Sequence, residues 1–103
     1  MNEGDVVVIN DLAGMARSRR LNKIARGTAA KSYMEVGVFR GKTFIEVNVE
    51  EKHAIDPKFK FDFKSIESDR VVFHEVTSDV FFSSLAIEKK FDLIYLDGLH
   101  TFE

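Results

Sequence analysis

The stretch YMEVGVFRGKT, residues 33–43, decides how this chain is read. An apolar run from Tyr33 to Val36 enters a loop holding Gly37 and Gly41, and the loop ends in Gly41-Lys42-Thr43. Two unrelated loops begin this way. One is the phosphate cradle G-x-x-x-x-G-K-[ST], in which successive backbone N–H groups wrap a phosphate and the Lys reaches the outer ones. Here only three residues separate the glycines and position 36 is Val, so the loop is one residue short of closing that nest. The other pattern, E-x-G-x-x-x-G, fits without adjustment. Glu35 stands at the strand end, and the glycines let the backbone approach a ligand that a side chain would strike.

Outward from this loop the chain alternates between two periods. Toward the N-terminus, Asn10 or Asp11 is placed to cap a helix from about Leu12 to Arg26, and Gly27 to end it. SYMEVGV reads as the first strand, GKTFIEVN as one or two helical turns, and HAIDP as a second strand stopped by Pro57. KFKFDFKSIESD alternates Phe with charge but carries Asp and Ser breakers, so it reads as a loop with a short helix. RVVFHEV is a third strand, and Ser78 or Asp79 is placed to cap a helix over VFFSSLAIEKK. FDLIYLDG, nearly continuous in apolar residues, is a fourth strand buried on both faces. Strands alternating with helices predict an α/β domain with a parallel sheet and right-handed crossovers. Ligands of such sheets sit at the carboxyl ends of the strands. Gly37–Gly41, Asp56, Thr77–Asp79 and Asp97–His100 all fall there. His53 and His74 lie within strands and read as packed or edge residues.

At 103 residues the chain has room for one modest core, and 45% hydrophobic with ten Phe and 31% charged is a globular composition. There is no Cys, hence no disulfide and no thiolate zinc site. The longest aliphatic run, Val6 to Ile9, is far too short to span a bilayer, and the acidic N-terminus is not that of a signal peptide. A soluble, cytoplasmic protein without a membrane partner is expected. The net charge of −2 hides an asymmetry. Arg17, Arg19, Arg20, Lys23, Arg26 and Lys31 lie in a stretch without any acid, whereas residues 35–103 carry nine basic and fourteen acidic side chains. A basic helix of this kind is either the solvated face of a helix lying on an acidic domain or a surface for nucleic acid or another anion.

With these residues in place, the chain resembles the class I S-adenosylmethionine-dependent methyltransferases. It is most similar to the branch whose motifs read E-x-G-x-x-x-G-x-[ST] and D-L-I-[FY]-[IL]-D-G-x-H-x-[YF]-E, here EVGVFRGKT and DLIYLDGLHTFE. The resemblance covers Ser32 to Glu103 and implies a Rossmann-like sheet of about four strands in the order 3-2-1-4. It divides the chain into an N-terminal segment with the basic helix, residues 1–31, and the cofactor-binding half of a methyltransferase-like domain, residues 32–103. It implies that Glu35, Gly37, Phe39, Gly41 and Thr43 hold the methionine part of S-adenosylmethionine. Asp56 would accept both ribose hydroxyls, and Ser78 and Asp79 would approach the adenine. A more distant similarity to the catechol and caffeoyl-type O-methyltransferases implies Asp97 as ligand of a divalent cation such as Mg2+. It also makes His100 a general base beside the acceptor, in a mechanism that holds a nucleophile in line with the methyl group. The alternative for Asp97 and His100 is that they cap the sheet edge and bond each other.

The family fold continues past the fourth strand, and this sequence stops at Glu103. A truncated domain is therefore expected, with the fourth strand an open edge that pairs with a second copy through residues 93–96. Three functions fit: a cofactor-binding domain with little activity alone, a complete enzyme acting on an unidentified small-molecule acceptor between subunits, or a non-catalytic module whose basic helix binds nucleic acid or an acidic partner.

Overall fold

Every residue of Ser32–Val36 is buried, as befits a strand covered on both faces. In a computed structural model, which describes residues 6–9, 17–84 and 91–97, it is the middle strand of a five-stranded, all-parallel sheet. In chain order the elements are β1 (Val7–Ile9), α1 (Arg17–Thr28), β2 (Ser32–Val36), α2 (Lys42–Glu46), β3 (Glu51–Ile55), β4 (Val71–His74), α3 (Ser78–Ser84) and β5 (Leu93–Leu96), with a 3₁₀ turn at Phe63–Ser65. The strands lie in the order β1-β5-β2-β3-β4.

The α/β class and the parallel sheet agree with the sequence pattern; the strand count and order do not. The four expected strands keep their relative places, but β1 adds a fifth outside β5, in register Val7↔Leu93, Val8↔Ile94 and Ile9↔Tyr95. A strand of three residues shows no period, so Val6–Ile9 is legible in the sequence only as an apolar run too short for a membrane. The consequence is direct: β5 pairs with β2 on one side and, over Leu93–Tyr95, with β1 on the other, so these residues are not an open edge. Self-association through them has no free backbone edge to use.

Helices cover both faces. On one, Tyr33, Ala54, Phe73, Leu93 and Tyr95 pack with Leu21 and Ala25 of α1, Phe44 of α2, and the rings of Phe59, Phe61 and Phe63. The alternation of Phe with charge in residues 58–64 thus serves an aromatic cluster, with ring centroids 4.8–5.9 Å apart. On the other face, Met34, Val36 and Ile55 pack with Phe81 of α3 and with Phe91. Fully burying one Phe such as Phe44 is worth about 3 kcal/mol, so the buried Phe rings supply much of what a chain this short needs. Lys52, buried on β3, turns its Nζ onto the carbonyls of Phe44 and Ile45 at 2.7 and 3.3 Å and lies over the Phe44 ring. It satisfies the exposed carbonyl end of α2, which favours a cation, and burial pushes its pKa down.

Gly27 does not end α1; the helix continues to Thr28 and the reversal falls on Ala29, at φ 55°. The Ala30 N–H then donates to the Ala25 carbonyl at 2.9 Å, closing the turn as a left-handed C-cap does. The expected start near Leu12, capped by Asn10 or Asp11, lies outside the described residues. A residue with a Cβ in this conformation costs about 1–2 kcal/mol, part of which glycine recovers after its own greater chain entropy is counted. Ala29→Gly should therefore stabilise the fold by about 0.5–1 kcal/mol, raising the melting temperature by a few degrees. A lower melting temperature would show that Ala29 carries no strain.

Candidate functional site

Where β2 ends, the chain must turn sharply, and three residues take positive φ: Gly37 at 86°, Phe39 at 57° and Gly41 at 81°. Phe39 holds this disfavoured conformation because the loop is tied down by Asp56. The Asp56 Oδ2 accepts the N–H groups of Val38 and Phe39 at 2.8 and 3.0 Å, and its Oδ1 accepts that of Lys58 at 2.9 Å. The Lys60 N–H donates to the Phe39 carbonyl at 2.9 Å, so the loops after β2 and β3 are laced together. Gly41 is required by packing as well as by φ. A Cβ there would lie 2.7 Å from the Phe61 ring, so this glycine makes room for the aromatic cluster rather than for a ligand.

Beside the laced loops, at the carboxyl ends of β2, β3 and β4, opens a pocket of about 510 Å³. Val36, Ile55, Pro57 and Phe82 form apolar walls, Gly37 contributes backbone, and Thr77, Ser78 and Asp79 form a polar side. Thr77 is the cap of α3, its Oγ1 accepting the Val80 N–H at 3.2 Å. Ser78 and Asp79, expected as caps, are instead the first two residues of the helix, and both line the pocket.

Of the residues singled out from the sequence, Gly37, Ser78 and Asp79 meet here. Asp56 lies between two pocket residues, but it is only 5% exposed and its carboxylate is turned to the loop amides. Phe39 is 42% exposed, and Thr43 is half-buried in α2; neither lines the pocket. Five further residues line it without having been assigned a ligand role, Val36 and Ile55 among them as strand positions. Pro57 shows in the sequence only as a strand stop, Thr77 as part of the Thr77–Asp79 loop at the ligand edge without a role of its own, and Phe82 only as an apolar helix position.

Glu35 stands on the opposite face of the sheet from Val36, as the strand pleat demands. It is 1% exposed and accepts the Tyr33 hydroxyl at 2.7 Å. Burial pushes its pKa up to about 8; the Tyr33 hydrogen bond opposes the shift and the Asp97 charge adds to it. Asp97, half-buried, bonds the Tyr95 hydroxyl, whose pKa is pushed up to about 12 by burial and by the Asp97 charge. Tyr33, Glu35, Lys52, Tyr95 and Asp97 thus form a polar cluster under α1 and α2, apart from the pocket. His100 lies outside the described residues, and with it any pairing to Asp97. Among the described residues no three His, Asp or Glu side chains are grouped to hold a metal ion.

A second polar chain runs across β3 and β4. The His53 Nδ1 and His74 Nε2 lie 3.0 Å apart, and the His53 Nε2 is 2.9 Å from the Glu51 carboxylate. Ring centroids 5.3 Å apart with nitrogens so close put the imidazoles edge to edge. The set is satisfied when His74 donates to His53 and His53 donates to Glu51. Burial and the neighbouring His53 hold the His74 pKa down. Both histidines are half-buried and packed against Phe91 and Phe81, in keeping with a packing role.

Comparison of the chain with protein-family models, with curated proteins and with solved structures finds no match. Among the described residues no helix is long and apolar enough to cross a membrane.

Two stability outcomes follow from this geometry. In Asp56→Asn one acceptor oxygen becomes a donor and faces an amide N–H, so the fold should lose about 2–4 kcal/mol in urea denaturation, since each stranded buried donor costs about 1–3 kcal/mol. A variant as stable as the parent would mean that the loop holds without this carboxylate. For Glu35 the sign is the reverse of a surface acid. Its proton is kept in the folded chain up to about pH 8 and released by the unfolded chain above about 4.5, so stability falls as pH rises between those values. Glu35→Gln should abolish this decline. Its advantage over the parent should grow from pH 5 to pH 8 and reach a few kcal/mol, each tenfold change in proton affinity being worth about 1.4 kcal/mol. Parallel pH profiles for the two proteins would refute it.

Proposed function

We propose that the chain binds S-adenosylmethionine, with the nucleoside end in the pocket between β2, β3 and α3, and acts as the cofactor-binding unit of a methyltransferase. The observation that carries this reading is the convergence of Gly37, Ser78 and Asp79, from two loops far apart in sequence, on one pocket at the carboxyl edge of a parallel sheet. The volume lies within the range of small-ligand sites. Its apolar walls suit a flat base, and Ser78 and Asp79 are acceptors for an exocyclic amino group.

Asp56 and Glu35 serve the cofactor indirectly in this reading. A carboxylate has about four acceptor positions, and Asp56 already receives three N–H groups. It can take one ribose hydroxyl, not two, so its main part in binding is to hold the Gly37–Gly41 loop in shape. Glu35, buried with Tyr33, supports the strand beneath that loop rather than meeting the methionine ammonium group. Bound, the cofactor supplies an electrophilic methyl group; the protein must orient an acceptor and take its proton. In this reading His100 would take the proton, Asp97, which bonds the Tyr95 hydroxyl, would be the carboxylate for Mg2+, and the acceptor is a small molecule.

Calorimetry with S-adenosylhomocysteine tests the proposal. One site per chain is expected, with affinity lowered about ten- to hundredfold in Asp79→Ala, the equivalent of about 1.5–3 kcal/mol for one charged hydrogen bond. Both proteins should show the same circular dichroism. No heat at a ligand concentration of about 1 mM, with the protein folded, would exclude a site of even millimolar affinity and leave a scaffold without the cofactor.

A further inference from the structure

Helix α1 carries no acid and five exposed cations, Arg17, Arg19, Arg20, Lys23 and Arg26, of which Arg17 lies toward the sheet, where its charge acts on Glu35 and Tyr95. Such a helix has two explanations, and the ion pairs separate them. If the cations only complemented an acidic domain, they would be paired with it. Yet Arg19, Lys23 and Arg26 form no salt bridge with any described residue, whereas His53 pairs with Glu51 and Arg70 with Glu50. Glu46, an acid beside α1, is engaged by the neutral residues of the helix: its carboxylate accepts the Ser18 hydroxyl at 2.6 Å and its carbonyl the Asn22 amide at 2.9 Å. The apolar residues Leu21 and Ala25 are buried beneath. What remains outward is a stripe at i, i+4 and i+7, about 10 Å long at a rise of 1.5 Å per residue.

We infer that this stripe, Arg19–Lys23–Arg26, is a docking surface for the phosphate backbone of nucleic acid. The chemistry of the face selects among anions. A membrane surface would need apolar side chains to insert beside the cations, and here they point inward. A folded acidic protein would need an apolar or aromatic centre to bury, which the stripe lacks. A phosphate chain needs neither; it offers about one charge per 1.7 Å of duplex and exchanges its counterions for fixed cations. With no aromatic residue to stack on bases and no outward amide to read their edges, the contact is independent of sequence. The stripe is separate from the proposed cofactor pocket, since it lies over the other face of the sheet from the pocket walls.

Fluorescence anisotropy of a labelled mixed-sequence DNA duplex, at about 50 mM salt and upward, tests it. The parent should bind with affinity falling steeply in salt. The Arg19→Gln, Lys23→Gln, Arg26→Gln triple variant should bind at least about tenfold more weakly, with the log–log salt slope reduced by about 2–3 for three lost phosphate contacts. All three side chains are exposed, so circular dichroism and melting should match the parent. A Lys60→Gln, Lys64→Gln variant, which removes two exposed cations from the connection between β3 and β4, should bind as the parent does. Failure of the parent to bind duplex, equal binding by the triple variant, or tighter binding to a poly-glutamate peptide than to duplex would each overturn the inference.

Discussion

The architecture at the carboxyl edge of the sheet depends on one buried carboxylate. An isolated ionised Asp56 at 5% exposure would be costly. Three backbone N–H groups make it favourable and are themselves satisfied in return. They come from both loops, Val38 and Phe39 from one and Lys58 from the other, so a single side chain ties together the loops that leave the paired ends of β2 and β3. The positive φ of Phe39, the bond from Lys60 to the Phe39 carbonyl, and the placement of Phe61 over Gly41 all belong to the two loops so tied. The pocket beside it inherits its shape from the same constraint.

The pleat of β2 then divides the chemistry. Glu35 and Val36 are neighbours in sequence but face opposite layers, one meeting Tyr33 and the other the pocket. In a strand this alternation has no exceptions short of a bulge. An E-x-G pattern therefore places its acid and the residue before its glycine on different surfaces. The acid becomes a buried, proton-retaining group that braces the sheet under α1 and α2. Its neutral form is the more stable one in that layer, where the nearby cation Lys52 is already bonded to the end of α2.

This division explains what can and cannot be read from the residues alone. Strands β2, β3, β4 and β5 are legible because each is a short apolar run bounded by turn formers, and the alternation with helices implies a parallel sheet. Strand β1 is not, because three aliphatic residues carry no period. The carboxyl edge as the place of a pocket follows from topology, and Gly37, Ser78 and Asp79 from their positions at strand and helix ends. The part played by Asp56 does not follow, since an acid after a strand looks the same whether it waits for a ribose or holds two loops. Its partners are backbone N–H groups, which every sequence has and none displays. The end of α1 is misplaced for a related reason: glycine is the usual residue in a left-handed cap, but here Ala29 takes the turn two residues beyond Gly27.

The same layering bears on how two ligands would coexist on so small a chain. The pocket is walled by residues of the α3 side, and the cationic stripe rides on α1 across the sheet. Charge on α1 falls off within about a Debye length, roughly 8–10 Å at moderate salt, whereas the sheet and one helix layer intervene. Binding at one surface has no direct contact with the other; any link passes through the sheet, where alternate residues of β2, β3 and β5 touch both layers. Coupling between the surfaces must therefore run through the packing of these strands, and not through direct electrostatics.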